Sequence, residues 1–440
     1  MSTTELPTSP LNDKTPPASN VGVMARLSIM MFLEFFIWGA WYVTMGTYMT
    51  AQGMGEKIGL AYTLSPIAAI VSPFFLGMIA DRFFPSEKVL SVMHLLGGLA
   101  MFAVPWAAGQ GSGAFLGMIL LHTLFFMPTI SLTNSVAFSN LTNQEKQFPL
   151  IRVFGTLGWI AANLVVSFIA ADTNSKQFVV TGIAAIALAI FSLMLPHTPP
   201  PAKGKAITAR EILGLDALSL FKSRSFTVFA ISSFLICIPL AAYYNYAGPM
   251  VAEIFKVRNP ADTTPPIAAT MSVGQVAEVI FMLILPFFFA RLGVKWMLAI
   301  GMLSWVARYA LFAAGAPNTV LPMIILGIAL HGLCYDFFFV TGFIYTDKRA
   351  PKEIRGQAQG LLVLLTYGLG LGIGAYLTGE IFNNVVGKAT GAEALQLYQK
   401  FWMYPAAFAL VILIFFVLLF RDDSREPAVE GADVKTDQRN

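Results

Sequence analysis

Charge is what this sequence has least of. Of its 440 residues, 12% are Asp, Glu, Lys or Arg, where a soluble chain carries roughly a quarter. Cysteine is nearly absent as well. Cys237 and Cys334 both fall inside apolar runs and read as small buried hydrophobes without a disulfide. No HExxH, Cys pair or GxSxG stands where a membrane enzyme would need its metal or nucleophile, so no metal site and no cofactor are expected. The net charge of +4 comes from basic residues scattered between apolar runs, which leaves no patch for nucleic acid. The N-terminus lacks the basic start of a signal peptide and the first apolar run is too long for one, so that helix is expected to be retained.

What the sequence has is apolar length. Hydrophobic residues make up 56% of it, in runs of about 20 residues, which at 1.5 Å per residue cross a hydrocarbon core of about 30 Å. The runs are continuous, which excludes the alternating strands of a membrane β-barrel. The fold class is an all-α polytopic membrane protein. Spans are expected near 27–49, 58–80, 89–109, 114–137, 150–171 and 178–196, then 226–250, 266–290, 295–315, 321–344, 357–382 and 399–420. This gives a disordered N-tail over 1–25, a six-helix half over 26–196, a linker over 197–225, a second half over 226–420 and a C-tail over 421–440. The linker starts Pro-rich and flexible, and its second part suits a short amphipathic helix. With the N-terminus inside, Lys57, Lys176, Lys256, Arg258, Lys388 and Lys400 lie outside and Arg152 and Arg308 lie within spans. The other basic residues are inside, as the positive-inside bias demands, and both termini are cytoplasmic.

The halves echo each other. Pro73-Phe74-Phe75 returns as Pro286-Phe287-Phe288, Leu121-His122 as Leu330-His331 and Ile151-Arg152 as Ile354-Arg355. A parallel six-helix repeat is the plan of the major facilitator fold. GMIADRFFPSEK (77–88) resembles that fold's signature after the second helix. Gly77 would allow close packing, and Asp81 and Arg82 would belong to an inner gate; the plainer reading is a helix end with a charged stop.

Four charged residues lie deep in spans: Glu34, Arg152, Glu278 and Asp336. Each costs on the order of 2.5–3.5 kcal/mol at mid-membrane, so such groups face a cavity or a partner. Glu380 lies nearer a helix end and reads as interfacial. Gln275 and Glu278 share one helix face, and His331 and Tyr335 another, with Asp336 beside them. Asn245 precedes Gly248-Pro249, where a bend is expected, and Thr156 and Trp159 sit one and two turns beyond Arg152. Carboxylates, amides, a guanidinium and aromatic planes suit a neutral solute with several hydroxyls and a flat ring. Glu34 has a second reading, as a packing residue bonded to a Trp or Tyr of its own bundle. His94 and His122 read as satisfied packing residues, and Arg308 as a residue that snorkels toward the interface.

FLEFFIWGAWYVTMGTYM (32–49), FPLIRVFGTLGWIAANLVVS (148–167), MSVGQVAEVIFMLILPFF (271–288) and LHGLCYDFFFVTGFIY (330–345) resemble the bacterial nucleoside:proton symporters. The likeness runs over 25–422 and is greatest to the branch with Glu in the first helix. It implies a major facilitator fold of 12 transmembrane helices in two six-helix halves. It implies proton-driven nucleoside uptake by alternating access, no cofactor beyond the proton gradient, a monomer in the bacterial inner membrane, and nucleoside, protons and the lipid bilayer as partners. By position, the family's solute-contacting residues match Arg152, Thr156, Trp159, Asn245, Gln275, Glu278, Tyr335 and Asp336. His331 stands where the family has Tyr, and Ala242 where it has Gln. Proton coupling falls to Asp336, Glu278 or Glu34. A facilitator-type exporter and a sugar:proton symporter are the alternatives; a receptor without transport would not need buried carboxylates in both halves.

Overall fold

The computed structural model describes residues 21–75, 83–142, 144–200, 215–351, 354–426 and 429. The three inner-gate candidates, Gly77, Asp81 and Arg82, lie outside the described residues, as do the N-tail up to residue 20 and linker residues 201–214. The described residues form helices throughout. We label the spans α1 (Val21–Ala51), α2 (Ile58–Phe75), α3 (Ser86–Gln110), α4 (Ser112–Ser139), α5 (Gln144–Phe168), α6 (Lys176–Ser192) and α7 (Arg224–Arg258). One continuous stretch, Ile267–Gly315, breaks at Gly293 with φ 65° and so contains α8 (267–292) and α9 (294–315). Then follow α10 (Leu321–Arg349), α11 (Arg355–Val385) and α12 (Gly391–Leu419). The helix of α1 starts at Val21, six residues before the span expected from hydropathy, because helical hydrogen bonding need not stop where an apolar window does; Arg26 is the one charged residue in that first stretch. The linker ends in a short 3-10 helix, Leu215–Lys222, with Ala217 and Leu220 buried.

Six spans build each half. α1 packs along α5 and α6, and α3 along α4 and α6; in the second half α10 lies against the α8–α9 pair and α12 against α7. Prolines lie inside α3, α4, α7, α8 and α12, as is common in membrane helices, where neighbours, waters or local changes of pitch can serve the freed carbonyls. Two helices change pitch: α10 has a π segment at Asp336–Val340 and α11 one at Leu364–Gly370. Such segments break the regular ladder and are frequent at functional sites.

The halves meet on the face opposite the one carrying the two chain ends. There the helix starts and ends of α2 and α11 touch backbone to backbone, and a Cβ on Gly59 would sit 2.7 Å from the Gly379 Cα. Lys388 pairs with Glu56 at 3.1 Å, and Asn383 donates to the Glu56 carbonyl at 3.0 Å. Asp172, after α5, accepts from the Ala268 N–H at 2.7 Å and from the Ser167 hydroxyl at 2.9 Å; Ser167 in turn accepts from the Ala269 N–H. On the face of the chain ends the described hydrogen bonds stay within one half, as between Arg26 and the Met194 carbonyl or between Gln357 and Asp216.

Asp172 therefore fastens the two halves, and its charge bears on the seal. Burial pushes its carboxyl up, and the bonds from Ala268 and Ser167 pull it partly back. When the halves part, water returns and the group regains its ordinary value. The sealed form thus binds the proton more tightly: it gains as pH falls toward the raised value and loses that advantage as pH rises through it. Asp172→Asn keeps a carbonyl acceptor and should hold the seal with a flatter pH response. Asp172→Ala strands the Ala268 N–H, a loss of about 1–3 kcal/mol, and should open the face. Distances between spin labels at the exposed positions Gln52 and Ala392 report either outcome.

Candidate functional site

α5 reaches the interface between the halves with Arg152, Thr156 and Trp159, all half-buried. The Arg152 guanidinium lies 4.0 Å over the ring of Phe35 in α1, a stacked cation with its donors left for other partners. Glu278, across the interface on α8, lies within reach of its field. Trp159 meets Trp38 edge-on at 5.4 Å and Tyr42 at 6.4 Å. Its indole N–H is served by Asn163, fully buried one turn on. In the orientation its neighbours dictate, that amide accepts from Trp159 at 3.1 Å and donates to the Gly39 carbonyl at 3.2 Å.

α8 and α10 supply the facing wall. Gly332 makes this possible: a Cβ there would stand 2.3 Å from the Glu278 nitrogen, so the two helices touch along Gln275, Glu278, His331 and Tyr335. Gln275 is buried with its Oε1 unpartnered, while Glu278 keeps part of its surface accessible. The Tyr335 hydroxyl meets that of Tyr367 from α11 at 2.8 Å. Asp336 opens the π segment of α10. It is fully buried, and neither carboxylate oxygen has a hydrogen-bond partner among the described residues.

Trp159, Tyr243, Tyr244, Met271, Gln275 and Val43 close on one another and leave about 10 Å³ between them. That is room for about one water, far below the 300 Å³ or so at the lower end of ligand pockets. The aromatic end of the site is shut toward the sealed face. Two of the candidate solute contacts, Trp159 and Gln275, come together here with Tyr243 and Tyr244, whose signal in the sequence is a Tyr-Tyr pair directly before Asn245. Asn245 stands differently. Its amide nitrogen donates to the Ala375 carbonyl at 3.2 Å and to Thr378 at 3.3 Å, so it ties α7 to α11 and keeps only Oδ1 free.

Glu34 sits away from this wall, inside the first half. Its Oε2 meets His94 Nε2 at 2.8 Å and its Oε1 accepts from the Thr129 hydroxyl at 2.7 Å. It is fully buried, and its partners are His and Thr, not the Trp or Tyr that the packing alternative named. His122 bonds through Nδ1 to the Gly97 carbonyl at 2.9 Å. Arg308 corrects an expectation outright. It does not snorkel but is fully buried, with Nε donating to the Gly327 carbonyl at 3.1 Å. Its position two turns from the end of α9 would let an isolated helix reach water, but α7 and α10 cover it.

A family model described as "Nucleoside H+ symporter" matches residues 21–425. The chain belongs to the nucleoside H+ symporter family. YegT of Escherichia coli strain K12, whose name marks it as a candidate nucleoside transporter, is 38% identical over 94% of this chain and 97% of its own. The xanthosine permease of the same strain is 32% identical over 91% and 96%. The crystal structure of the nucleoside transporter NupG superposes with a TM-score of 0.79 at 29% identity, over 91% of this chain and 99% of that one. The nucleoside H+ symporter chain is thus a multi-pass membrane transporter of major facilitator fold, and not an enzyme.

Proposed function

We propose that this symporter takes up nucleosides with protons, holding the solute between α5 on one side and α8 and α10 on the other. Arg152, Thr156, Gln275 and Glu278 supply donors and acceptors for hydroxyls and base edge. Trp159 and Tyr335 supply planes for the base, and His331 and the free Oδ1 of Asn245 add polar contacts. The face carrying the chain ends is cytoplasmic, as the positive-inside bias argues, so the sealed face is outer and the conformation opens inward. The chain acts as a monomer in the bacterial inner membrane, with one site between its own halves, and needs no cofactor besides the gradient.

The observation that carries the coupling assignment is Asp336, a buried carboxyl with no donor to either oxygen. Such a group cannot hold its charge cheaply and is suited to exchange it for a proton in each cycle. Glu278 lies within electrostatic reach of it and is the second carrier. Glu34 has both oxygens bonded within one half and serves there as a clasp.

Proteoliposomes loaded with buffer and given labelled uridine, adenosine or xanthosine test the reading. Accumulation of at least one of them should need an inward proton gradient and collapse when the gradient is dissipated. Accumulation unaffected by the gradient would overturn symport, and no movement of any nucleoside by folded protein would overturn the choice of solute.

A further inference from the structure

Arg308 is a buried cation whose surroundings hold no ion-pair partner among the described residues. Nε donates to the Gly327 carbonyl, the guanidinium lies 3.6 Å over the Tyr243 ring, and Nη2 has no partner. Nη1 faces His331 Nδ1 at 3.4 Å and Cys334 Sγ at 3.6 Å. A guanidinium only donates and stays charged. The His331 Nδ1 facing it must therefore present a lone pair, which leaves the ring proton on Nε2. A second proton would have to enter at Nδ1, against a fixed cation.

The plane of the ring is held by its neighbours. It stacks on Tyr243 at 5.2 Å and 20° and meets the edge of Tyr244 at 6.2 Å. Gly274 of α8 approaches its Cβ so closely that an added Cβ would stand 3.1 Å away. The titratable and charged groups around it are Arg308 from α9, Tyr243 and Tyr244 from α7, Glu278 from α8, and Cys334, Tyr335 and Asp336 from α10. Of these, the hydrogen bond described to the imidazole is that of Arg308.

We infer that Arg308 is a positioning residue that holds His331 as the neutral, Nε2-protonated tautomer, so that the site presents there a fixed hydrogen-bond donor for an acceptor atom of the solute. The last clause rests on the placement of the solute proposed above; the tautomer does not. A tyrosine hydroxyl at this point could rotate to donate or accept, whereas this histidine is committed to donating. It would favour nucleosides that offer a carbonyl oxygen, an unprotonated ring nitrogen or a hydroxyl oxygen at that spot.

The test uses the full-length protein in nanodiscs with ring-¹⁵N-labelled histidine. Four histidines are present, and the His331 signals are those lost in His331→Gln. The native spectrum should show His331 as the single neutral Nε2–H form from pH 5 to pH 8. Arg308→Lys, which keeps a cationic donor, should retain it. Arg308→Gln should release it to the other tautomer or to a titrating ring. An Nδ1–H or cationic His331 in the native protein at pH 7 overturns the proposal, even if Arg308→Gln fails to fold. The dissociation constant of uridine separates the two readings. The native constant should have no His331 step, while Arg308→Gln should weaken binding at least about tenfold with a new pH dependence. Equal, pH-independent binding in Arg308→Gln overturns the role of Arg308 in recognition. The expected tautomer in a protein that binds no nucleoside counts against the proposed solute and leaves the inference about Arg308 standing.

Discussion

Asp336→Asn is expected to abolish gradient-driven accumulation while solute exchange across the membrane continues. A proton moving inward carries about 2.3 kcal/mol per 100 mV. With one proton per solute and no pH difference, that sustains roughly a 50-fold accumulation, since each 1.4 kcal/mol is about a factor of ten. The asparagine has nearly the same shape but cannot exchange a proton, so its accumulation ratio should fall to about one. Counterflow, in which labelled solute enters against unlabelled solute inside, needs the alternating movement but no net proton transfer, and it should persist. The π segment beginning at Asp336 gives a local reason for the residue's standing. The residue stands at the first position of that break in the backbone ladder, a kind of break frequent at functional sites, and neither of its oxygens has a partner among the described residues. Measured ratios near the native value in Asp336→Asn would move coupling to Glu278.

The separation of these roles was only partly legible in the sequence. Span positions follow from apolar length, a one-dimensional property, and the α8–α9 turn at Gly293 was visible as the break between two runs. Gln275, Glu278, His331 and Tyr335 were also legible, because three- and four-residue spacings place them on shared helix faces. The meeting of Glu34 with His94 and Thr129 was not, since it joins residues 60 and 95 apart in the chain on three helices. No spacing rule reaches that far. Arg308 was misread for a related reason: hydropathy tells how deep a residue lies along its helix but not what covers it from the side. The π segment of α10 gave no sign either, as Asp-Phe-Phe-Phe-Val holds no proline or glycine to mark it. Asn163 does carry a signal, an amide four residues after Trp159 in an apolar run.

Glu34→Leu should destabilise the protein strongly, and Glu34→Gln should barely do so. Thr129 Oγ1 lies 2.7 Å from Glu34 Oε1 and 2.6 Å from the Phe126 carbonyl, yet a hydroxyl has one hydrogen to give. When Thr129 turns it to Phe126, the bond to position 34 needs a donor from that side. Glutamine supplies one: its amide nitrogen can donate to Thr129 while its oxygen accepts from His94. The hydrogen bonds of the clasp to His94 and Thr129 are then kept, and the variant should stay within about 1 kcal/mol of the native protein, since no buried group loses its partner. Leucine supplies neither atom. It strands the His94 ring among Met30, Met31 and Phe126, in a part of the first half that no solvent reaches, and leaves Thr129 with only its bond to the Phe126 carbonyl. Leaving a buried donor without its acceptor costs about 1–3 kcal/mol, and with the lost packing of the carboxylate this is enough to lower the melting midpoint by a few degrees in a thermal size-exclusion assay. The same pair of variants tests function. If Glu34→Gln melts normally but loses gradient-driven accumulation and keeps counterflow, Glu34 carries the coupled proton and the clasp is not its main role. If it melts normally and accumulates nucleoside as the native protein does, the carboxylate of α1 is architecture, and the proton path lies in the second half.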